Sequence, residues 1–282
     1  MGVFHRSLEL AKASWAVLRK DKELALLPVL SFAAWVIIAA TFLLPIVAVN
    51  ADRPEGDSWT SNPLTWVIAF AGYLVVTYVM IFFSAAIVCG ADERLRGGDP
   101  TLGSALRSAR ERAGVLLPWA VLSATVTLIL KAIEQRAGII GRIVVGLIGI
   151  AWSLVTFLVV PILVVERIGV GAAVKRSGEL FKRTWGENVV TNGGIGLLTF
   201  LAALLGLLVV LPLLMVGGAV TVAGIVIGIA WVAVVSCVMS TLSGIVQIAL
   251  YRYAVDGDVP GFGTDQLRGA FRDRRGGFFT SR

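Results

Sequence analysis

The sequence predicts an all-α, polytopic membrane protein, and three observations carry that prediction. Residues 24–51, 58–91, 113–130, 143–165 and 188–251 contain no Asp, Glu, Lys or Arg. Across the chain 57% of residues are hydrophobic and 15% charged, with mean hydropathy +0.86, whereas soluble domains carry roughly 25% charge. Finally, Lys and Arg are distributed very unequally among the segments that join the apolar runs.

A helix crossing a hydrocarbon core of about 30 Å needs about 20 residues. By that measure the chain is one integral membrane domain, 1–282, with six spans at about 24–49, 64–91, 113–134, 143–165, 189–212 and 219–250. The third run is short and is expected to continue to Glu134, with Lys131 reaching back toward the headgroups. The last run is too long for one span, and the break is placed at Pro212 to Gly218, where a proline and the Gly217-Gly218 pair supply a turn. The first 23 residues mix Glu9, Asp21 and Glu23 into a basic segment ahead of a long apolar run, so they read as a retained helix and not as a signal peptide. A basic tail, 251–282, closes the chain.

With these spans, 21 of the 25 Lys and Arg fall on one side of the membrane. The positive-inside rule then places both termini in the cytoplasm of a cell whose membrane the chain crosses several times. Trp59 and Trp66 suit the outer aromatic belt. The net charge of +7 is accounted for by this asymmetry and by anionic lipid headgroups as partner, so no nucleic-acid role is read from it.

Three cytoplasmic segments show helical amphipathicity. In the first, Phe4, Leu8, Ala11, Trp15 and Leu18 share a face, with Arg6, Glu9, Lys12 and Arg19 elsewhere. In the second, Leu102, Ala105, Leu106, Ala109 and Ala113 lie opposite Arg107, Arg110 and Arg112, after a turn at Gly97, Gly98, Asp99 and Pro100. In the third, Val170, Val174, Ser177, Phe181 and Trp185 oppose Lys175, Arg176, Glu179, Lys182 and Arg183. Each is expected to lie in the interface, apolar stripe in lipid and cations at the headgroups. Trp15, Arg6, Lys12, Arg176, Lys182 and Trp185 are the candidate lipid-interface residues.

The segments also repeat. RSLELAKASW from Arg6 and RSGELFKRTW from Arg176 agree at six of ten positions, each just before an odd-numbered span. Leu-Leu-Pro recurs at 26–28 and 116–118. Three units of interfacial helix plus transmembrane hairpin follow. In the last span Gly224, Gly228, Ser236, Ser240 and Gly244 recur at multiples of four, a stripe suited to close helix packing or to a homo-oligomer seam.

Chemistry finds little to work with. His5 is the single histidine, so neither a His-based triad nor a His metal site is expected. Cys89 and Cys237 lie inside apolar runs and read as packing residues. Asp52, Glu55 and Asp57, and Asp92 and Glu93, read as solvated loop charges. The polar candidates within the spans are Asn192 and Gln247, both near the cytoplasmic face, where they would cap or bridge helices. No enzyme activity and no cofactor are expected.

The run SWAVLRKDKELALLP, Ser14 to Pro28, on an amphipathic N-terminal segment ahead of six spans, resembles an uncharacterised prokaryotic family of integral membrane proteins known only as a domain of unknown function. More distantly, amphipathic segments ending in Trp before a hairpin resemble the membrane domain attached to some bacterial glycerophosphodiesterases, whose catalytic domain this chain lacks. The resemblance implies location and architecture and supplies no active residues. The function expected is a non-enzymatic protein that organises membrane lipid or partner proteins through its basic helices. The alternative is a passive permease for an apolar or lipid-like solute, which would need a cavity open between helices.

Overall fold

The computed structural model describes residues 14–15, 22–51, 62–183, 185–216 and 218–256, apart from the side chains of residues 22, 183–198, 214, 216 and 219. Among the described residues the regular structure is entirely helical. A 3-10 turn, Lys22–Ala25, leads into α1 (Leu26–Val49), and α2 (Pro63–Leu95) returns antiparallel to it. The short α3 (Leu102–Glu111) precedes α4 (Ala113–Arg136), α5 (Ile139–Thr156) and α6 (Val159–Val165). The described residues end in α7 (Val170–Arg183), α8 (Trp185–Val216) and α9 (Gly218–Asp256). Five stretches are long and apolar enough to cross a membrane: Glu23–Val49, Pro63–Leu95, Ala113–Arg136, Ile139–Val165 and Val220–Asp256. Within α8 the shorter apolar helix is Thr199–Leu213.

Local chemistry explains the boundaries. The Asn62 side chain accepts from the Leu64 amide at 2.9 Å and Pro63 opens α2, a cap followed by a residue that needs no helical N–H partner. Gly97 sits at φ 85 in the turn that follows, where a side chain would be strained. Thr101 and Ser104 then form a reciprocal capping box at the start of α3.

Two expected boundaries move. Within the expected break, Pro212 to Gly218, the fifth span ends later than 212: α8 continues through Pro212 to Val216, and Gly218 sits at φ 60. Pro212 forfeits the helical bond that an N–H there would make but does not end the helix, whereas left-handed backbone is open to glycine and costs other residues about 1–2 kcal/mol. Gly218→Ala is therefore expected to lower stability by about 1 kcal/mol, read as an earlier unfolding midpoint in detergent, with Gly218→Asn milder. The fourth run is two helices, since the chain turns at Phe157 and Leu158 before Pro161. The bend takes α6 inward, and Val159 to Val164 are all buried.

The core lies at one end of the bundle. Ala85 to Cys89 and Ala91 of α2, all of α6 except Val165, and Leu242, Ile245, Val246 and Ile248 to Tyr251 of α9 are buried together with Leu24 and Leu27. Away from that end the helices expose apolar faces: Ile139 and Ile140 are both 79% accessible and Leu44 70%. That is the pattern of helices whose outer surface meets hydrocarbon.

Candidate functional site

At the buried end the charges form an organised layer. Asp92, in the last turn of α2, is only 8% exposed. Arg252 of α9 grips it with two bonds, Nε to Oδ1 at 2.7 Å and Nη2 to Oδ2 at 3.0 Å. Arg96 adds a contact to Oδ2 at 3.0 Å, and Arg252 also donates to Asp256 at 3.2 Å. This fork geometry is the strong form of a charged hydrogen bond. It corrects the expectation that Asp92 is a solvated loop charge and explains why α2 and α9 run past their expected ends at 91 and 250.

A second knot ties α7 to the core. Glu166 accepts from the Tyr251 hydroxyl at 3.0 Å and from Arg176 Nε at 3.3 Å, both at Oε1. Ser177, fully buried, donates to the Val155 carbonyl at 2.5 Å, one of the carbonyls left over where α5 ends. Arg112 serves α6 in the same way, its Nε donating to the Val164 carbonyl at 2.9 Å. At the start of α3, Glu23 accepts from the Leu102 amide at 2.8 Å and Glu93 from the Ser104 hydroxyl at 2.9 Å. Two carboxylates thus meet a helix N-terminus, where the helix dipole favours them.

Of the stripes expected to face lipid, those of α3 and α7 are occupied by protein, and the first, apart from Trp15, lies outside the described residues. Ala105 and Ala109 of α3 and Ala173, Ser177, Leu180 and Phe181 of α7 are buried. The faces left outward are charged, with Arg107, Arg110, Lys175 and Lys182 exposed. Of the other interface candidates, Arg176 is half-buried against Glu166. Trp15 is helical and 46% exposed. Arg6, Lys12 and the Trp185 side chain lie outside the described residues.

The small-residue stripe of α9 divides in two. Gly224 and Gly244 are buried, and a Cβ at Gly244 would stand 2.6 Å from Ile87 Cγ2. Gly228 faces Val210 of α8, 3.3 Å from where its Cβ would be. Ser236 and Ser240 instead are exposed and line a cleft of about 1010 Å³ between α1, α2 and α9. Pro28, Phe32 and Trp35 form one wall of it, Met80, Phe83 and Ile87 the second, and Ile225 to Ser240 the third. Gln247 is half-buried, and the Asn192 side chain, its expected neighbour, lies outside the described residues. Among the described residues no group of three His, Cys, Asp or Glu is placed to hold a metal ion.

From the sequence alone Asp92, Glu166, Tyr251 and Arg252 are not picked out as site residues. A signal was present: Arg252 ends the longest charge-free run, and Asp92 and Glu166 each end one too. Charges at those positions sit where a span meets the interface and need partners.

An all-α bundle with five membrane-length apolar helices and a buried charge layer at one end defines a polytopic membrane architecture. Residues 64–262 match the Family of unknown function DUF6159, and the chain belongs to that family. The matched range takes in the Asp92–Arg252 pair and two walls of the cleft, and it begins after Ser14 to Pro28, the run on which the resemblance to such a family rests. No curated protein matches the chain, and the likeness to the glycerophosphodiesterase membrane domain gains nothing from these comparisons.

Proposed function

We propose that the protein is a non-enzymatic, six-span component of the cell membrane that gathers anionic lipid at the cytoplasmic surface through α3 and α7. The observation that carries this reading is the exposed set Arg107, Arg110, Lys175 and Lys182 on two helices whose apolar sides are already used by the protein. Helices bound in this way do not gain affinity by inserting into lipid. They offer fixed cations at the headgroup level, each worth about 1 kcal/mol near an anionic surface. Glu166 ties α7 to the core through Arg176 and Tyr251, and Glu23 and Glu93 hold the start of α3, so both helices that carry the collar are anchored. Both termini lie on this side.

Lipids that co-purify with the full-length protein test it. The wild type is expected to retain anionic over zwitterionic phospholipid, and the variant with Arg107, Arg110, Lys175 and Lys182 all changed to Gln is expected to lose that preference by about tenfold or more. Equal preference in both proteins would overturn the reading.

A second reading, a passive permease for an apolar or lipid-like solute, is favoured by the cleft between α1, α2 and α9. Movement of a fluorescent lipid between leaflets of proteoliposomes above that of empty vesicles is its expected result.

A further inference from the structure

Three contacts set the register of the cleft walls. Leu24 fills the space beside Gly90, 2.5 Å from where a Cβ would stand, and Phe42 does the same at Gly72 at 2.9 Å. In the antiparallel pairing these contacts define, Ser31 of α1 comes level with Ser84 of α2. Ile87 against Gly244, with Asp92 against Arg252, brings Ser84 level with Ser240 of α9. Three serines that line the cleft therefore share one level, and Ser236 lies one turn farther from the charge layer.

Elsewhere in the apolar helices Thr41, Thr77, Thr125 and Thr127 each donate to the carbonyl four residues earlier. Ser31, Ser84 and Ser236 show no such bond among the described residues, and Ser240 reaches only the Cys237 carbonyl at 3.3 Å. From Ser84 to Asp92 is about 12 Å along α2. With the charge layer at the headgroups and an interfacial zone of about 5–7 Å per leaflet, the serines fall just inside the hydrocarbon boundary. Beyond them the walls are apolar, through Val232, Ile229 and Ile225. From Ser240 to Ile229 the cleft runs about 16 Å, close to the roughly 15 Å hydrocarbon depth of one leaflet. Its volume lies at the upper end of the range, about 300–1,000 Å³, of small-molecule sites.

We infer that this cleft is a site for one phospholipid of the cytoplasmic leaflet, its ester groups level with Ser31, Ser84 and Ser240 and an acyl chain lying along α9 toward Ile229. The polar end faces the charge layer and the apolar end faces the bilayer centre, which is the polarity of a lipid standing in that leaflet. The inference rests on the proposed orientation for its choice of leaflet and on nothing else in the proposed function, since the cleft reads the glycerol ester and chain and the collar reads headgroup charge.

The test uses the full-length protein in nanodiscs containing phosphatidylcholine with a photoactivatable diazirine on its acyl chain. Peptides carrying Ser31 to Trp35, Met80 to Ser84 and Ser236 to Ser240 are expected to be labelled about tenfold more than the exposed face of α5 at Ile140 and Leu147, a preference of about 1.4 kcal/mol. The double variant Ser236→Trp and Ser240→Trp, checked for an unchanged elution profile, should bring cleft labelling down to the α5 level and leave α5 labelling as it was. Ser31→Ala with Ser84→Ala should lower labelling by the phospholipid probe more than by a diazirine fatty acid. Uniform labelling of cleft and α5 overturns the inference, as does labelling that survives the tryptophans, or cross-linking between two copies through the cleft in place of lipid. The collar variant, all four cations changed to Gln, should keep cleft labelling, so failure of the collar and failure of the cleft give different results.

Discussion

Asp92→Ala is expected to cost the protein about 3–5 kcal/mol of stability, the loss typical when one partner of a buried ion pair is removed. The fork from Arg252 is nearly withdrawn from solvent, and Asp92 itself is 8% exposed. Removing the carboxylate leaves the guanidinium with Asp256 alone, which is exposed. It also frees Arg96, whose contact at 3.0 Å otherwise closes the same carboxylate from its own helix. The damage should be reciprocal, with Arg252→Ala of similar size, whereas the double variant should be less destabilised than the sum of the two, because no charge is then stranded. A double-mutant cycle on denaturant unfolding in detergent measures this directly. Single losses below about 1 kcal/mol would class the pair with exposed surface bridges and remove it as the joint between α2 and α9.

How far this architecture is legible in the sequence depends on the distance over which the deciding interaction acts. Charge-free runs are local, and they place α1, α2, α4 and the α5–α6 segment within a few residues. The Asp92–Arg252 joint spans 160 residues, and no periodicity in either helix announces it, so Asp92 reads as an ordinary loop acid. The apolar stripes of α3 and α7 are legible as stripes. What covers them is not, because hydrocarbon and a buried α6 ask for the same side chains. Ser177 hints at protein, since a serine on an apolar face needs an acceptor and finds it at Val155. Within the expected break, Pro212 to Gly218, the turn falls at the glycine end, which backbone conformation decides and composition cannot rank when proline and glycine stand six residues apart. The cleft is least legible of all, because its three walls come from helices brought into register by contacts at Gly72, Gly90 and Gly244.

Gly244→Leu is the second large effect expected, and it dissects the small-residue stripe of α9. The glycine is buried, and a Cβ there would stand 2.6 Å from Ile87 Cγ2 and 3.3 Å from Ile87 Cβ. A leucine must push α9 away from α2 in the middle of the core that also holds Ile245 and Val88. Overpacking of this kind costs about 1–3 kcal/mol, and the displacement strains the Asp92–Arg252 fork two turns on, so the total should reach or pass the upper figure. Gly228→Leu should cost less, since the Val210 methyls stand 3.3 Å from its Cβ position, farther than Ile87 Cγ2 stands at Gly244. Ser236→Leu and Ser240→Leu should leave the unfolding midpoint nearly unchanged, because both side chains point into open space in the cleft. If the stripe were instead the seam of a homo-oligomer, all four substitutions would disrupt assembly together, and size-exclusion profiles would shift with Ser236 and Ser240 as strongly as with Gly244. The graded order, Gly244 above Gly228 above the two serines, is the result that assigns the glycines to packing within one chain and leaves the serines free to meet a ligand.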